Sequence, residues 1–150
     1  MKNIFFFAIV LISLLAFALP SVAYMASIKT ENVKLYDSPT LDATVVFELS
    51  AYYPVRVSKV EGDWSKISDD SHLAGWVMNE DISKERTLMV RRYRINLRAT
   101  PSKRAAVVDR LYKDQVVTLL ETRGSWCKVR VVDPPDGPQG WVSKSLLWGW

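Results

Sequence analysis

Gly-Asp-Trp-Ser-Lys-Ile at residues 62–67 and Gly-Ser-Trp-Cys-Lys-Val at 124–129 follow one pattern, Gly-x-Trp-x-Lys-aliphatic, 62 positions apart. Outward from this pair the same offset aligns Leu35 with Leu97, Pro39 with Pro101, Ala43 with Ala105, Leu49 with Leu111 and Val55 with Val117. Past residues 133–138 (DPPDGP), a turn-rich stretch three residues longer than its partner loop around Asp69–His72, the offset becomes 65. Gly75-Trp76-Val77 then meets Gly140-Trp141-Val142, and Ile82 meets Leu147. A correspondence kept over roughly fifty positions, with one insertion inside a loop, identifies a duplicated unit of about 60 residues.

Each unit reads as β. Short β-branched or alternating runs lie between turn signals at Val33–Tyr36, Thr44–Glu48, Val55–Val60, Trp64–Ser68 and Ala74–Met78, and again at Ile95–Arg98, Val107–Leu111, Val116–Glu121, Trp126–Val131 and Gly140–Ser143. Gly62 and Gly124 supply tight hairpins, since glycine alone enters φ > 0 freely. Five or six short strands in so few residues fit a small closed barrel, which removes its own sheet edges. The expected architecture is all-β, two tandem small barrels over residues 24–84 and 85–150.

The second unit carries "NLRATPS" (96–102), "GSWCKV" (124–129) and "GWVSKSLL" (140–147), and these resemble the markers of bacterial SH3-type (SH3b) domains. The first unit departs at its start, with "KLYDSP" (34–39) where Asn and Arg are expected. The pair is similar to exported bacterial proteins built of two SH3-like domains with no enzyme attached. That resemblance implies binding to peptidoglycan or its peptide parts, and places Arg98 and Arg104 on a turn near the ligand-facing side. Eukaryotic SH3 domains bind proline-rich helices, but the Pro and Tyr of that groove are replaced here by Met78 and Asp81 in one unit and by Ser143 and Leu146 in the other.

Strand alternation sorts the hairpin residues. Cys127, Val129 and Val131 share one face, while Trp126, Lys128 and Arg130 share the other. Lysine and arginine need water, so Cys127 belongs to the core and acts as a small hydrophobe. Its counterpart Ser65 does without a thiol, and the only imidazole, His72, lies in the other unit. Trp64 and Trp126 emerge on the outer face. Two uses are open to them, a platform for a ligand or a cover for the rim of each barrel. Tyr36 and Tyr53 could widen an aromatic patch on the first unit, so the candidate ligand-binding residues are Trp64, Trp126, Arg98, Arg104, Tyr36 and Tyr53. Trp76 and Trp141, each preceding a core valine, are expected to support the fold.

Residues 1–23 stand apart. Lys2 precedes an apolar run from Ile4 to Leu19, followed by Pro20 and Ser21-Val22-Ala23. This is the pattern of an export signal cleaved after Ala23. These sixteen residues, apolar but for Ser13, rise only about 24 Å as a helix, short of a ~30 Å hydrocarbon core, so no membrane span is expected after cleavage. The protein is expected in the periplasm or cell envelope, away from nucleic acid. One cysteine cannot form an internal disulfide, and packing alone must hold the units.

Charge is divided between the units. Residues 24–84 hold 6 basic and 10 acidic side chains, net −4, whereas residues 85–150 hold 13 and 6, net +7. The cluster Arg91, Arg92, Arg94, Arg98, Lys103 and Arg104 has two readings, contact with an anionic envelope partner or a solvated face that meets the acidic unit. No cofactor, metal site or catalytic residue is expected. Asp70, Ser71 and His72 adjoin in one loop, whereas a working triad converges from separate segments. One His and one Cys do not make a zinc site. A non-catalytic binding module is the expected function, with a protein–protein adaptor or structural subunit of a periplasmic complex as the alternative.

Overall fold

The computed structural model describes residues 23–150, so nearly all of the expected signal segment lies outside the described residues. The chain is almost wholly β. The first sheet contains β1 (Tyr24–Ile28), β2 (Val33–Tyr36), β3 (Val45–Leu49), β4 (Pro54–Glu61), β5 (Trp64–Ser68), β6 (Ala74–Met78) and, after a 3-10 turn at Asn79–Asp81, β7 (Ile82–Ser83). The second contains β8 (Thr87–Val90), β9 (Arg94–Arg98), β10 (Val107–Tyr112), β11 (Val116–Arg123), β12 (Trp126–Val131), β13 (Gln139–Ser143) and, after a turn at Lys144–Leu146, β14 (Leu147–Trp148). Their strand orders, β3-β2-β6-β5-β4-β1-β7 and β10-β9-β13-β12-β11-β8-β14, are the same order displaced by seven strands. These are two SH3-like barrels.

The repeated apolar positions are the cores. Leu35, Leu49, Val55, Ile67 and Val77 pack in the first, and Leu97, Leu111, Val117, Val129 and Val142 in the second. Cys127 is fully buried in the second core. Gly62 and Gly124 sit in the hairpin turns at φ +57° and +54°.

Four strands had no signal in the alternation, the two-residue β7 and β14 and the longer β1 and β8, and for β1 and β8 the reason is tertiary. Ala26, Ser27 and Ile28 are buried in succession, as are Thr87 and Leu88. Their outward members are covered by the other barrel. Ser27 Oγ donates to Glu85 O at 2.8 Å, and Thr87 Oγ1 donates to Tyr52 O at 2.6 Å. Burial on both faces removes the period of two.

Trp76 and Trp141 lie on the outer face, opposite their core valines, yet are only 9% and 6% exposed. Cationic side chains cover them. The ammonium groups of Lys59 and Lys66 lie 5.9 and 6.0 Å from the Trp76 ring, and the Arg123 guanidinium lies 4.9 Å from Trp141. Long basic stems thus act as apolar cover while their heads stay in water.

Candidate ligand groove

The second barrel carries a groove of about 660 Å³ whose walls come from four segments. On β9 alternate residues point outward, so Ile95 and Leu97 enter the core while Arg94, Asn96 and Arg98 face the other way. Arg92 precedes this strand, and Lys103 reaches the groove from the loop after it. Trp126 starts β12 beside Ser143 of β13, its register partner. Ser145 and Leu146 of the following turn complete the lining.

Arg98 has two tasks. Its Nη1 donates to Ala105 O at 2.8 Å and so ties down the loop that bears Lys103. A guanidinium has five donors, and no other protein acceptor for Arg98 occurs among the described residues. Arg92, Arg94, Arg98 and Lys103 therefore meet in a groove lined by no carboxylate. None of the four is ion-paired among the described residues. Like charges held together without counterions raise a positive potential that favours an anion.

The first barrel offers a direct comparison. The offsets 62 and 65 carry Arg92, Arg94, Ile95, Asn96, Arg98, Ser143 and Leu146 onto Thr30, Asn32, Val33, Lys34, Tyr36, Met78 and Asp81, and these seven line the equivalent groove together with Glu31. Its volume is about 230 Å³, and it holds two carboxylates against one cation. Tyr36 replaces Arg98 and forms a T-shaped pair with Trp64, 5.4 Å between centroids at 88°. Trp64 is absent from that groove's lining, whereas Trp126 lines its own. Burial and the nearby Glu80 push the Asp81 carboxyl up from its ordinary value, with Lys29 opposing.

Of the six candidates, Trp126 and Arg98 come together in one groove, and Trp64 and Tyr36 come together on each other. Arg104 is exposed on the same loop as Lys103 but lies outside the lining. Tyr53 does not join the aromatic pair. It packs on the first core and its hydroxyl donates to Asp69 Oδ2 at 2.8 Å. Asp69 also accepts from the Ser71 and Leu73 backbone N–H groups, so Tyr53 pins the loop between β5 and β6. Burial, reinforced by the bond to Asp69, raises the Tyr53 phenol above its usual range. Arg92, Arg94 and Lys103 appear in the sequence as members of a basic cluster. That they share a wall with Trp126 depends on β9 and β12 lying on either side of β13.

The expected attraction between acidic and basic halves is narrow. One ion pair joins them among the described residues, Arg91 Nε to Asp70 Oδ2 at 2.9 Å. A crevice of about 480 Å³ at the junction is lined by Tyr24, Arg56, Arg91, Trp148 and Trp150. There Arg91 already has Asp70, and Lys144 already covers Trp150 at 4.9 Å. Four unpaired cations make the groove on the second barrel the stronger site.

Two families, each described as a bacterial SH3 domain, match residues 29–84 and residues 94–147. The chain belongs to the bacterial SH3 domains, as a tandem pair. Solved structures that resemble it include NlpC1 from Trichomonas vaginalis, with a TM-score of 0.39 and 18% identity over 92% of this chain and 50% of that one. NlpC2 from the same organism gives 0.38 and 16% over 85% and 48%. An NlpC/P60 family protein from Bacillus cereus gives 0.36 and 16% over 82% and 55%. The chain spans about half the length of these proteins. No curated protein matches it. No helix among the described residues is long and apolar enough to cross a membrane. The open groove therefore belongs to the second SH3 domain, and the narrowed one to the first.

Proposed function

We propose that the tandem pair is a non-catalytic binding module of the cell envelope, and that it holds peptidoglycan or its peptide parts in the groove of the second SH3 domain. The observation that carries this reading is the groove wall of half-buried Trp126 beside four cations without ion-pair partners, which suits an anionic ligand with an apolar part. Membership of the bacterial SH3 domains supports a cell-wall-related role, and the signal-like residues 1–23 support export. A binding rather than catalytic role accords with the thiol chemistry. Cys127 is buried, and burial keeps its thiol protonated and unreactive. Ser71 Oγ donates to Asp69, so that hydroxyl is engaged with a carboxylate in its own loop.

One observation favours a protein partner instead. The edge strand β3 exposes Val45, Val46 and Phe47, and an apolar strand with a free edge is a template for an added strand. Co-sedimentation of the protein with purified sacculi at low salt separates the two. Trp126→Ala and Arg92→Gln should release the protein from sacculi, and added salt should do the same. Absence of sedimentation, with capture of an envelope protein that Phe47→Lys abolishes, would install the adaptor reading.

A further inference from the structure

We infer that each chain takes a single ligand, a peptide segment bearing two or more carboxylates, in the groove of the second SH3 domain, and that Tyr36 keeps the equivalent groove of the first domain shut. The inference rests on the preceding reading only in that the groove is a binding site. The ligand's source in the envelope is a separate matter.

The number and kind of charges set the ligand's class. Arg92, Arg94, Arg98 and Lys103 reach the groove from three places, the approach to β9, β9 itself and the loop beyond it. A single carboxylate accepts one guanidinium fork side-on. It would leave the remaining cations facing one another, so a ligand that neutralises the groove carries at least two acids. The other walls distinguish a peptide from a phosphate polymer. Trp126 and Leu146 offer apolar contact, while Asn96 and Ser143 can both donate and accept. A peptide backbone presents N–H groups and carbonyls that use both capacities. A chain of phosphates presents acceptors alone and no apolar side chain for Trp126.

The first domain shows how the same site is closed. Its groove has about a third of the volume, 230 against 660 Å³. Tyr36 stands where Arg98 stands and packs against Trp64 in a T-shaped pair, so the indole that would form the platform is already in contact. Glu31 and Asp81 add carboxylates that repel an acidic ligand. One residue exchange, Tyr for Arg, thus removes a cation and occupies the aromatic surface together.

The test titrates the tandem-domain protein, residues 24–150, by calorimetry with a capped hexapeptide of alternating Glu and Ala. One peptide should bind per chain, and the same peptide with Gln for Glu, or polyphosphate of matched charge, should bind at least about tenfold more weakly. Arg98→Tyr imports the residue that the first domain already accommodates, and should cost at least about tenfold in affinity. Arg92→Gln with Arg94→Gln, at exposed positions outside the core, should do the same without a change in melting temperature. Arg130→Gln, at the far end of β12, should change affinity less than about twofold, which separates the groove from net charge. Equal binding of polyphosphate, two peptides per chain, or equal losses from Trp64→Ala and Trp126→Ala would each overturn the inference. Binding to sacculi without binding of the acidic peptide would sink this inference and leave the envelope reading intact. The reverse result would do the opposite.

Discussion

Cys127 and Ser65 occupy one place in the two domains, and their neighbours explain the difference. Ser65 Oγ donates to Asn79 Oδ1 at 2.7 Å, and Asn79 Nδ2 donates to Gly62 O at 2.9 Å. The counterpart of Asn79 is Lys144, on the same backbone. Its N–H donates to Ser125 O at 2.9 Å, as that of Asn79 donates to Asp63 O at 2.8 Å. A serine at 127 would therefore meet a lysine where it needs an acceptor amide. Cys127→Ser should cost about 1–3 kcal/mol, a hydroxyl buried without its partner. Adding Lys144→Asn should recover much of that loss, whereas Lys144→Asn alone should not stabilise, a coupling readable in a urea-melt double-mutant cycle. The thiol also links stability to pH. Burial raises its pKa, with Lys144 and Arg86 opposing, so folding favours the protonated form. This contribution is complete below the unfolded thiol value, about 8.5, and is lost as pH rises toward the folded one. Above about pH 8.5 the urea midpoint of the wild type should fall more steeply than that of Cys127→Ala. Parallel curves would refute this.

At the scale of the element, two glycines of the repeated motifs do different jobs. A Cβ on Gly124, in the hairpin between β11 and β12, would meet nothing within 4 Å, and only the positive φ resists it. A Cβ on Gly140 of β13 would lie 2.7 Å from Arg98 O and 2.7 Å from Leu97 Cγ. The first is a question of backbone conformation and the second of strand approach. Gly124→Ala should cost about 1 kcal/mol. Gly140→Ala should cost more, about 2–4 kcal/mol, because β13 must move off β9 or strain to stay. That displacement should also loosen Arg98 and weaken the groove. Chemical denaturation of the two variants checks the ranking, and equal losses would contradict it. Gly75 stands in the same relation to Tyr36, since a Cβ added there would lie 2.5 Å from the Tyr36 carbonyl oxygen. The glycine of the Gly-Trp-Val motif is thus what lets the groove-bearing strand lie close.

At the scale of the molecule, the domains are joined by few but buried contacts. Ser27 and Thr87 are 0% and 1% exposed, and each donates its hydroxyl to a carbonyl across the junction. The Arg91–Asp70 pair is half-exposed, and such pairs contribute at most about 1 kcal/mol. The hydroxyls should therefore govern coupling. Thr87→Val keeps the shape and removes the hydrogen bond to Tyr52 O, at a cost of about 0.5–1.5 kcal/mol. Scanning calorimetry should show one transition in the wild type separating into two in Thr87→Val, with Asp70→Asn remaining a single transition. A wild type that already melts in two steps would show that the junction does not couple the domains. The two halves carry net charges of −4 and +7. In the second, Arg92, Arg94, Arg98 and Lys103 have no ion-pair partner among the described residues.

The sequence by itself determined the duplication, the all-β character, ten of the strands to within a residue or two, and the inward place of Cys127. These features depend on local periodicity and on apolar spacing, which a chain displays along its length. It also displayed the basic cluster and the outward tryptophans. Only the tertiary structure decided what those residues do. Alternation places Trp64 and Trp126 on the same outer face, but it does not say which neighbour arrives across the sheet. Tyr36 reaches Trp64 because β6 lies between β2 and β5, and Arg98 leaves Trp126 open because guanidinium binds the loop carbonyl of Ala105. β1 and β8 were hidden because the partner domain buries their outer faces, and Tyr53 was drawn away from the surface by Asp69. Contacts between residues distant in the chain have no period, and the open and closed grooves are made of such contacts.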